Sequence, residues 1–296
     1  GLGARLLPEA REALDGPGLL EVLGWLEAAR ETRAAWADAA LRERFPGLAL
    51  LAGELPEAEA LRARLAGALE PDGRLSDAAS PELARLRRGL EQGERSLEQR
   101  VARWARPFGE SSYVTRHGER FVALVPAAGF PRRRGIVHDV SGSGHSLFVE
   151  PLELCDANNE VIELRAGVSA EERRVLLELA SAVRGAAPEL TALEEGLVHL
   201  DSLAARARWA AEFGAVAVAP GGGRLALRGA RHPLLAMGEA RARVVPLDLE
   251  LTPPGRVLLV SGPNMGGKTV LLKTVGLAVA LAHAALPVCA GEGSEL

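Results

Sequence analysis

Lysine is nearly missing from this 296-residue chain: of 35 basic side chains only Lys268 and Lys273 are lysines, and the rest are arginines. With abundant alanine, leucine and glycine, this bias reads as GC-rich coding. Aromatic residues make up 4% of the chain, with a single tyrosine. There are two cysteines, Cys155 and Cys289, far apart in sequence and outside any metal-ligand spacing. This excludes a disulfide framework and a cysteine-rich zinc site, and fits reduced thiols in a cytoplasmic protein. No apolar run reaches the roughly 18 residues that a membrane span requires, so no membrane partner is expected. The opening GLGARLLPEA has neither the basic nor the apolar stretch of a secretory leader. A net charge of −4 with 48% hydrophobic residues excludes wholesale disorder and indicates a chain able to bury a core. Nor is any region basic enough to announce nucleic acid by charge alone: residues 152–214 carry a net −6 and residues 215–296 a net +3.

What is present is organised in blocks. Residues 1–106 read as helices separated by Pro and Gly. Ser80-Pro81-Glu82 combines a hydroxyl cap, a proline at the first helical position and an acid in the first turn. From there Leu83, Leu90, Leu97 and Trp104 recur every seven residues, with Leu86 and Val101 on the same stripe. The pattern predicts a helix of about 25 residues, either core-packing or paired with a parallel neighbour, and weakened at Gly89 and Gly93. At Pro107 the period changes to two. Residues 111–125 alternate around Arg116-His117-Gly118-Glu119, and Gly135-Ile136-Val137 and Ser146-Leu147-Phe148-Val149 flank Ser141-Gly142-Ser143-Gly144. Two hairpins in a small mixed sheet are predicted over 107–151, ending at Pro151. Residues 152–219 return to helical spacing, with breaks expected near Gly167 and Gly185–Pro188. Ala219-Pro220-Gly221-Gly222-Gly223 reads as a linker, and residues 220–296 as the N-terminal part of an incomplete P-loop domain with strands near 224–228, 243–251 and 256–261. The fold class expected is mainly α with an α/β part: a helical lever or clamp with a small β-hairpin insert, then the start of a P-loop ATPase domain.

Gly262-Pro263-Asn264-Met265-Gly266-Gly267-Lys268-Thr269 matches G-x-x-x-x-G-K-[ST]. The expected context is a buried strand, Val257 to Val260, running into the loop, and an amphipathic helix opening at Lys268. Successive backbone N–H groups and a helix N-terminus make a nest for phosphate. Lys268 would reach the β/γ-phosphates of ATP and Thr269 would ligate Mg²⁺.

The letters of this loop resemble the MutS family of DNA-processing ATPases. So do Arg231-His232-Pro233 with its flanks, Val245-Pro246-Leu247-Asp248-Leu249 and Ala290-Gly291-Glu292-Gly293-Ser294-Glu295. Within that family the chain is similar to the MutS-two branch, through Gly135-Ile136-Val137-His138-Asp139, Ser141-Gly142-Ser143-Gly144, Leu147-Phe148-Val149-Glu150-Pro151, Asn158-Asn159-Glu160, Leu200-Asp201 and Ala205-Arg206-Ala207-Arg208. The resemblance covers about 107–296, and 1–106 only as a compatible helical region. It implies a dimeric ATPase whose lever and clamp enclose DNA, acting on branched recombination intermediates and suppressing recombination. It also implies an association of this branch with stalled ribosomes and rRNA, and a C-terminal nuclease domain in longer members.

Twenty-eight residues follow Lys268, so the strand bearing the metal-orienting acid is expected outside this sequence, and weak nucleotide binding without hydrolysis is expected of the chain alone. Val244 stands where relatives place an aromatic on the adenine, and offers no ring to stack. Phe108-Gly109-Glu110 matches the F-x-E wedge of mismatch-repair relatives but follows the long helix, outside the domain that uses it. Arg132, Arg133 and Arg134, with Arg116, His117 and Arg120 on the neighbouring hairpin, form either the best phosphate-contacting patch or a solvated loop. His138, Asp139 and His145 suit acid–base or metal work, but without a third ligand the structural role is favoured. Arg231 and His232 suit either packing or nucleotide contact. Three rival classes share features with this pattern: a P-loop kinase, an ABC- or SMC-like ATPase, and a structural dimerisation module.

Overall fold

A computed structural model describes residues 14–221, 223–237, 244–252, 254, 257–263 and 266–296. The fold is mainly α with a small β insert. The chain divides into two compact units, Gly1–Glu194 and Glu195–Leu296.

Among its described residues the first unit opens with four helices: α1 (Gly16–Trp36), α2 (Ala39–Arg44), α3 (Pro46–Gly53) and α4 (Glu59–Ala68). Asp15 caps α1 by accepting from the Gly18 N–H at 2.9 Å. Gly16 is required there because a Cβ would stand 1.9 Å from the Gly73 carbonyl oxygen. Leu19, Val22 and Leu26 of α1 and Leu61 and Leu65 of α4 are buried.

The predicted long helix is α5 (Pro81–Ala105), and Ser80 caps it as expected, its Oγ accepting from the Leu83 N–H at 3.3 Å. Leu83, Leu97, Val101 and Trp104 are buried along its apolar stripe. Its partner is α6 (Cys155–Gly185), and the pair is antiparallel, not parallel. Arg87 pairs with Glu172 at 2.7 Å near one end, and Glu94 with Arg165 at 2.5 Å further along. Gly89 and Gly93, expected as weak points, lie at this crossing: a Cβ on either would meet Leu164 or Val161 at 3.3–3.5 Å. Gly167 does the same from the other side against Leu86 and does not break α6, which runs on to Gly185. The break near 185–188 is present. Ala186 separates α6 from α7 (Ala187–Phe213).

Between α5 and α6 the chain forms one sheet: β1 (Tyr113–His117), β2 (Arg120–Pro126), β3 (Gly135–Val140) and β4 (Ser146–Pro151). Both hairpins form, with Gly118 at φ +60° in the two-residue turn between β1 and β2. The hairpins join through β2 and β4 in the order β1-β2-β4-β3. Every pairing is antiparallel, which corrects the expectation of a mixed sheet. Alternation along β2 and β4 turns Phe121, Ala123, Val125, Leu147 and Val149 onto Leu97, Val101 and Trp104 of α5.

In the second unit β5 (Leu225–Ala230) pairs antiparallel with β6 (Leu247–Leu251), and α8 (Lys268–His283) follows the glycine loop. Ala278 and Ala282 of α8 pack on Leu227 and Ala230, with Val288 and Ala290 closing the core. The strand expected at 256–261 is absent among its described residues, 257–261. They pair with no strand, and Val257 and Leu259 are 88% and 89% exposed. A continuous apolar run encodes a strand covered on both faces. Here β5 pairs with β6 and, at Ala226, with Glu295, and among the described residues no strand pairs with 257–261. Of the predicted strand 243–251, residue 243 lies outside the described residues and the strand begins at Leu247.

Candidate functional site

The glycine loop is built by local backbone geometry. Gly262 has φ +154°, and Gly267, at φ +84°, is the left-handed residue that opens α8. Only glycine adopts such angles without strain. The Gly266 N–H turns back to the Pro263 carbonyl at 3.2 Å, and a Cβ on Gly266 would approach that same oxygen to 3.1 Å. Among the described residues no side chain caps α8, so its first N–H groups have no acceptor there within the helix or from a capping residue. Lys268 folds back over the loop. Its Nζ donates to the carbonyls of Gly262 and, at 2.8 Å, Pro263. Thr269 is exposed in the first turn. Asn264 and Met265 lie outside the described residues.

These residues fit a nucleoside polyphosphate with its magnesium. The helix terminus and the glycine backbone supply anion-binding N–H groups, a flexible cation already sits over them, and a hydroxyl stands one residue further on. The helix is anchored by its apolar face through Ala278 and Ala282, while the buried Thr274 turns its Oγ1 back within the helix to donate to the Val270 carbonyl at 2.7 Å. In the same unit the Arg231 N–H donates to the Cys289 carbonyl at 2.8 Å, and the His232 carbonyl accepts from Leu235 and Ala236. The Nδ1 of His232 is buried without a hydrogen-bond partner among the described residues. Val244 is half-buried.

The arginines of the first unit are not equivalent. Arg132, Arg133 and Arg134 form an exposed 3₁₀ turn leading into β3. Among the described residues no ion pair or ring engages Arg132 or Arg133. The Arg134 guanidinium lies over the rings of Phe108 and Trp104, 5.2 and 5.6 Å from their centroids. This is where the F-x-E phenylalanine goes: Phe108 packs against Trp104 and Phe130. Arg116 lies over Phe121 and pairs with Glu94 at 2.9 Å, while Arg120 is drawn into the sheet's polar network. The structure therefore holds the three turn arginines together and engages Arg116 and Arg120 elsewhere.

That polar network was not foreseen from the sequence. Glu150 is 1% exposed and receives Arg120 at 2.5 Å, Asn158 at 3.0 Å and the His138 ring at 2.7 Å. Asn158 also brackets Phe121, accepting from its N–H at 2.8 Å and donating to its carbonyl at 3.1 Å. Arg120 reaches on to Asn159 at 2.7 Å. His117 stacks on His138, with centroids 5.7 Å apart, and its Nε2 lies 3.5 Å from Asp139. His145 stays exposed in the β3–β4 turn. Among the described residues no group of three or more His, Cys, Asp or Glu can hold a metal ion. Cys155 is a free thiol, pushed up first by burial and then by the charge of Glu150. Apart from Arg120, the residues meeting at Glu150 lie in the segments Gly135–Asp139, Leu147–Pro151 and Asn158–Glu160. The available signal was an acid standing in an otherwise apolar strand.

No family model matches the chain. Curated relatives do. It is 41% identical over 291 residues to the Endonuclease MutS2 of Thermomicrobium roseum, covering 93% of this chain and 36% of that protein. The Endonuclease MutS2 of Pelotomaculum thermopropionicum is 36% identical over 289 residues, 96% of this chain and 36% of that protein. The chain belongs to the MutS2 family. The Endonuclease MutS2 of Maridesulfovibrio salexigens agrees, at 37% identity over 300 residues, 98% of this chain and 38% of that protein. The chain thus spans little more than a third of the length of the MutS2 relatives it matches. Among the described residues no helix is long and apolar enough to cross a membrane.

Proposed function

We propose that this chain is the nucleotide-loop and nucleic-acid-contacting part of a MutS2-type DNA-binding ATPase that acts on branched recombination intermediates and suppresses recombination. The observation that carries the reading is the Lys268 ammonium folded into the Gly262–Thr269 loop at the start of α8, in a chain of this family. ATP with Mg²⁺ is the nucleotide. The backbone of Gly262, Pro263, Asn264, Met265, Gly266 and Gly267 cradles phosphate, Lys268 meets the β/γ-phosphates, and Thr269 supplies a hydroxyl to the metal. Bound magnesium supplies charge neutralisation between the terminal phosphates. The chain's own part is to orient the triphosphate on the helix N-terminus and exchange the loop carbonyls on Lys268 for phosphate oxygens.

DNA is met by the sheet inserted in sequence between α5 and α6, through the turn Arg132–Arg134. Homodimerisation, a cytoplasmic setting and nuclease activity belong to the whole protein in this reading, the last because the relatives are named endonucleases. The test is binding of the chain to a four-way DNA junction, a linear duplex and an rRNA hairpin across a salt series. Tighter binding to the junction, with affinity falling steeply as salt rises, is expected. Salt-insensitive binding, or binding confined to the RNA hairpin, would sink the DNA reading.

A further inference from the structure

We infer that Arg134 is a positioning residue of the nucleic-acid surface and that Arg132 and Arg133 are its phosphate contacts. This rests on the reading that the arginine turn of the sheet meets DNA.

The three arginines occupy one 3₁₀ turn, closed by the Arg134 N–H on the Pro131 carbonyl at 2.9 Å. Successive side chains of such a turn point about 120° apart, so three of them cannot face one row of phosphates. Arg134 is the one already placed. Its guanidinium roofs an aromatic cluster in which Trp104 and Phe108 lie 4.8 Å apart and Phe108 and Phe130 5.3 Å apart. Phe130 precedes the turn and is buried in the same cluster, so the turn is tied down at both ends. On the far side Gly135 presses against β4, where a Cβ would stand 2.3 Å from Val149 and 2.8 Å from the Glu150 carbonyl oxygen. Arg132 and Arg133 lie between these anchors, exposed and without an ion pair or ring among the described residues. A lysine in place of Arg134 would keep the charge and lose the planar stack.

A guanidinium stacked on a ring keeps its edge N–H groups, so the salt slope of binding is the discriminating quantity. Junction binding by the 296-residue chain is measured across a salt series for R132A/R133A, R134A, R134K, F108L and F108L/R134A, with melting midpoints alongside. Each phosphate contact contributes about 0.9 to the slope, so R132A/R133A should lower it by about 1.8. R134A and R134K should both weaken binding, on the order of threefold to tenfold, with the slope unchanged. F108L should reproduce that loss and F108L/R134A add nothing further, because both remove one contact. A role confined to stability would lower the melting midpoint and leave the affinity of the folded chain unmoved, which overturns the inference. A slope reduced by about 0.9 in R134A and restored in R134K makes Arg134 a direct contact and also overturns it, leaving the DNA reading intact. Absence of junction binding by the unaltered chain removes the DNA reading itself, and this inference with it.

Discussion

Arg120 on the second strand donates to the carboxylate of Glu150 on the fourth, and that carboxylate is almost wholly removed from solvent. The pair ties β2 to β4 on the face away from α5, and Asn158 extends the tie to the first turns of α6. A buried carboxylate survives only when its lone pairs are met, and here arginine, asparagine and histidine meet them.

Removing that carboxylate should therefore cost more than a surface change would. Glu150→Ala leaves Arg120 and Asn158 facing a cavity, and a loss of about 3 kcal/mol is expected. Arg120 is one-third exposed, so Arg120→Ala is predicted to be as damaging or more so, since it strands the buried partner rather than the wetter one. Urea denaturation of both variants checks the order. A pair of losses below about 0.5 kcal/mol would mean the network is not holding the sheet.

The acid response of the helix pair has a named source. Glu171 on α6 accepts from Arg174 and from the Ser80 hydroxyl that caps α5, and these bonds, Arg174 first, hold its carboxyl down to about 2. A carboxylate whose folded value is depressed contributes stability that is fully present above its unfolded value. That stability is lost as pH falls through the folded one. The window is thus from pH 4.5 down to about 2. Melting midpoints of Glu171→Gln and the unaltered chain should differ at pH 6 and converge as pH approaches 2. A constant difference across that range would show that the ionised form is not what stabilises.

Gly135→Ala tests how tightly the arginine turn is pressed on the sheet. The angle at Gly135 is ordinary extended backbone, so only the clash with Val149 and the Glu150 carbonyl matters. A methyl at that distance forces β3 away from β4, with a cost of about 2 kcal/mol and a lower melting midpoint. An unchanged midpoint would show that the edge strand yields freely.

How much of this was legible in the sequence depends on range. The start, length and cap of α5 follow from Ser80-Pro81-Glu82 and a heptad stripe, all local. So do the Gly118 turn and the opening of α8 at Lys268. The strand order was not legible, because two hairpins read separately do not say which edges join. The Glu150 network was missed for the same reason: Arg120, His138 and Asn158 converge on it from 30, 12 and 8 residues away. The break expected near Gly167 does not occur, and at Gly89, Gly93 and Gly167 alike propensity sees only a missing side chain, whereas packing uses the gap to bring two helices close. The apolar run 257–261 encodes burial, but burial needs neighbours that a local pattern does not supply. In the glycine loop the motif itself was local. The orientation of Lys268 toward the Gly262 and Pro263 carbonyls was not.

The most direct measurement for the account as a whole is ATP turnover in a chain extended to the length of its MutS2 relatives, set beside Lys268→Ala and Thr269→Ala. Loss of the only flexible cation on the loop should lower turnover by at least about 100-fold, with unchanged circular dichroism, and Thr269→Ala should shift the magnesium dependence. In the 296-residue chain alone, where 257–261 is unpaired and exposed, calorimetry should find weak ATP binding and no hydrolysis. Undiminished turnover in Lys268→Ala would contradict the assignment of this loop as the nucleotide site.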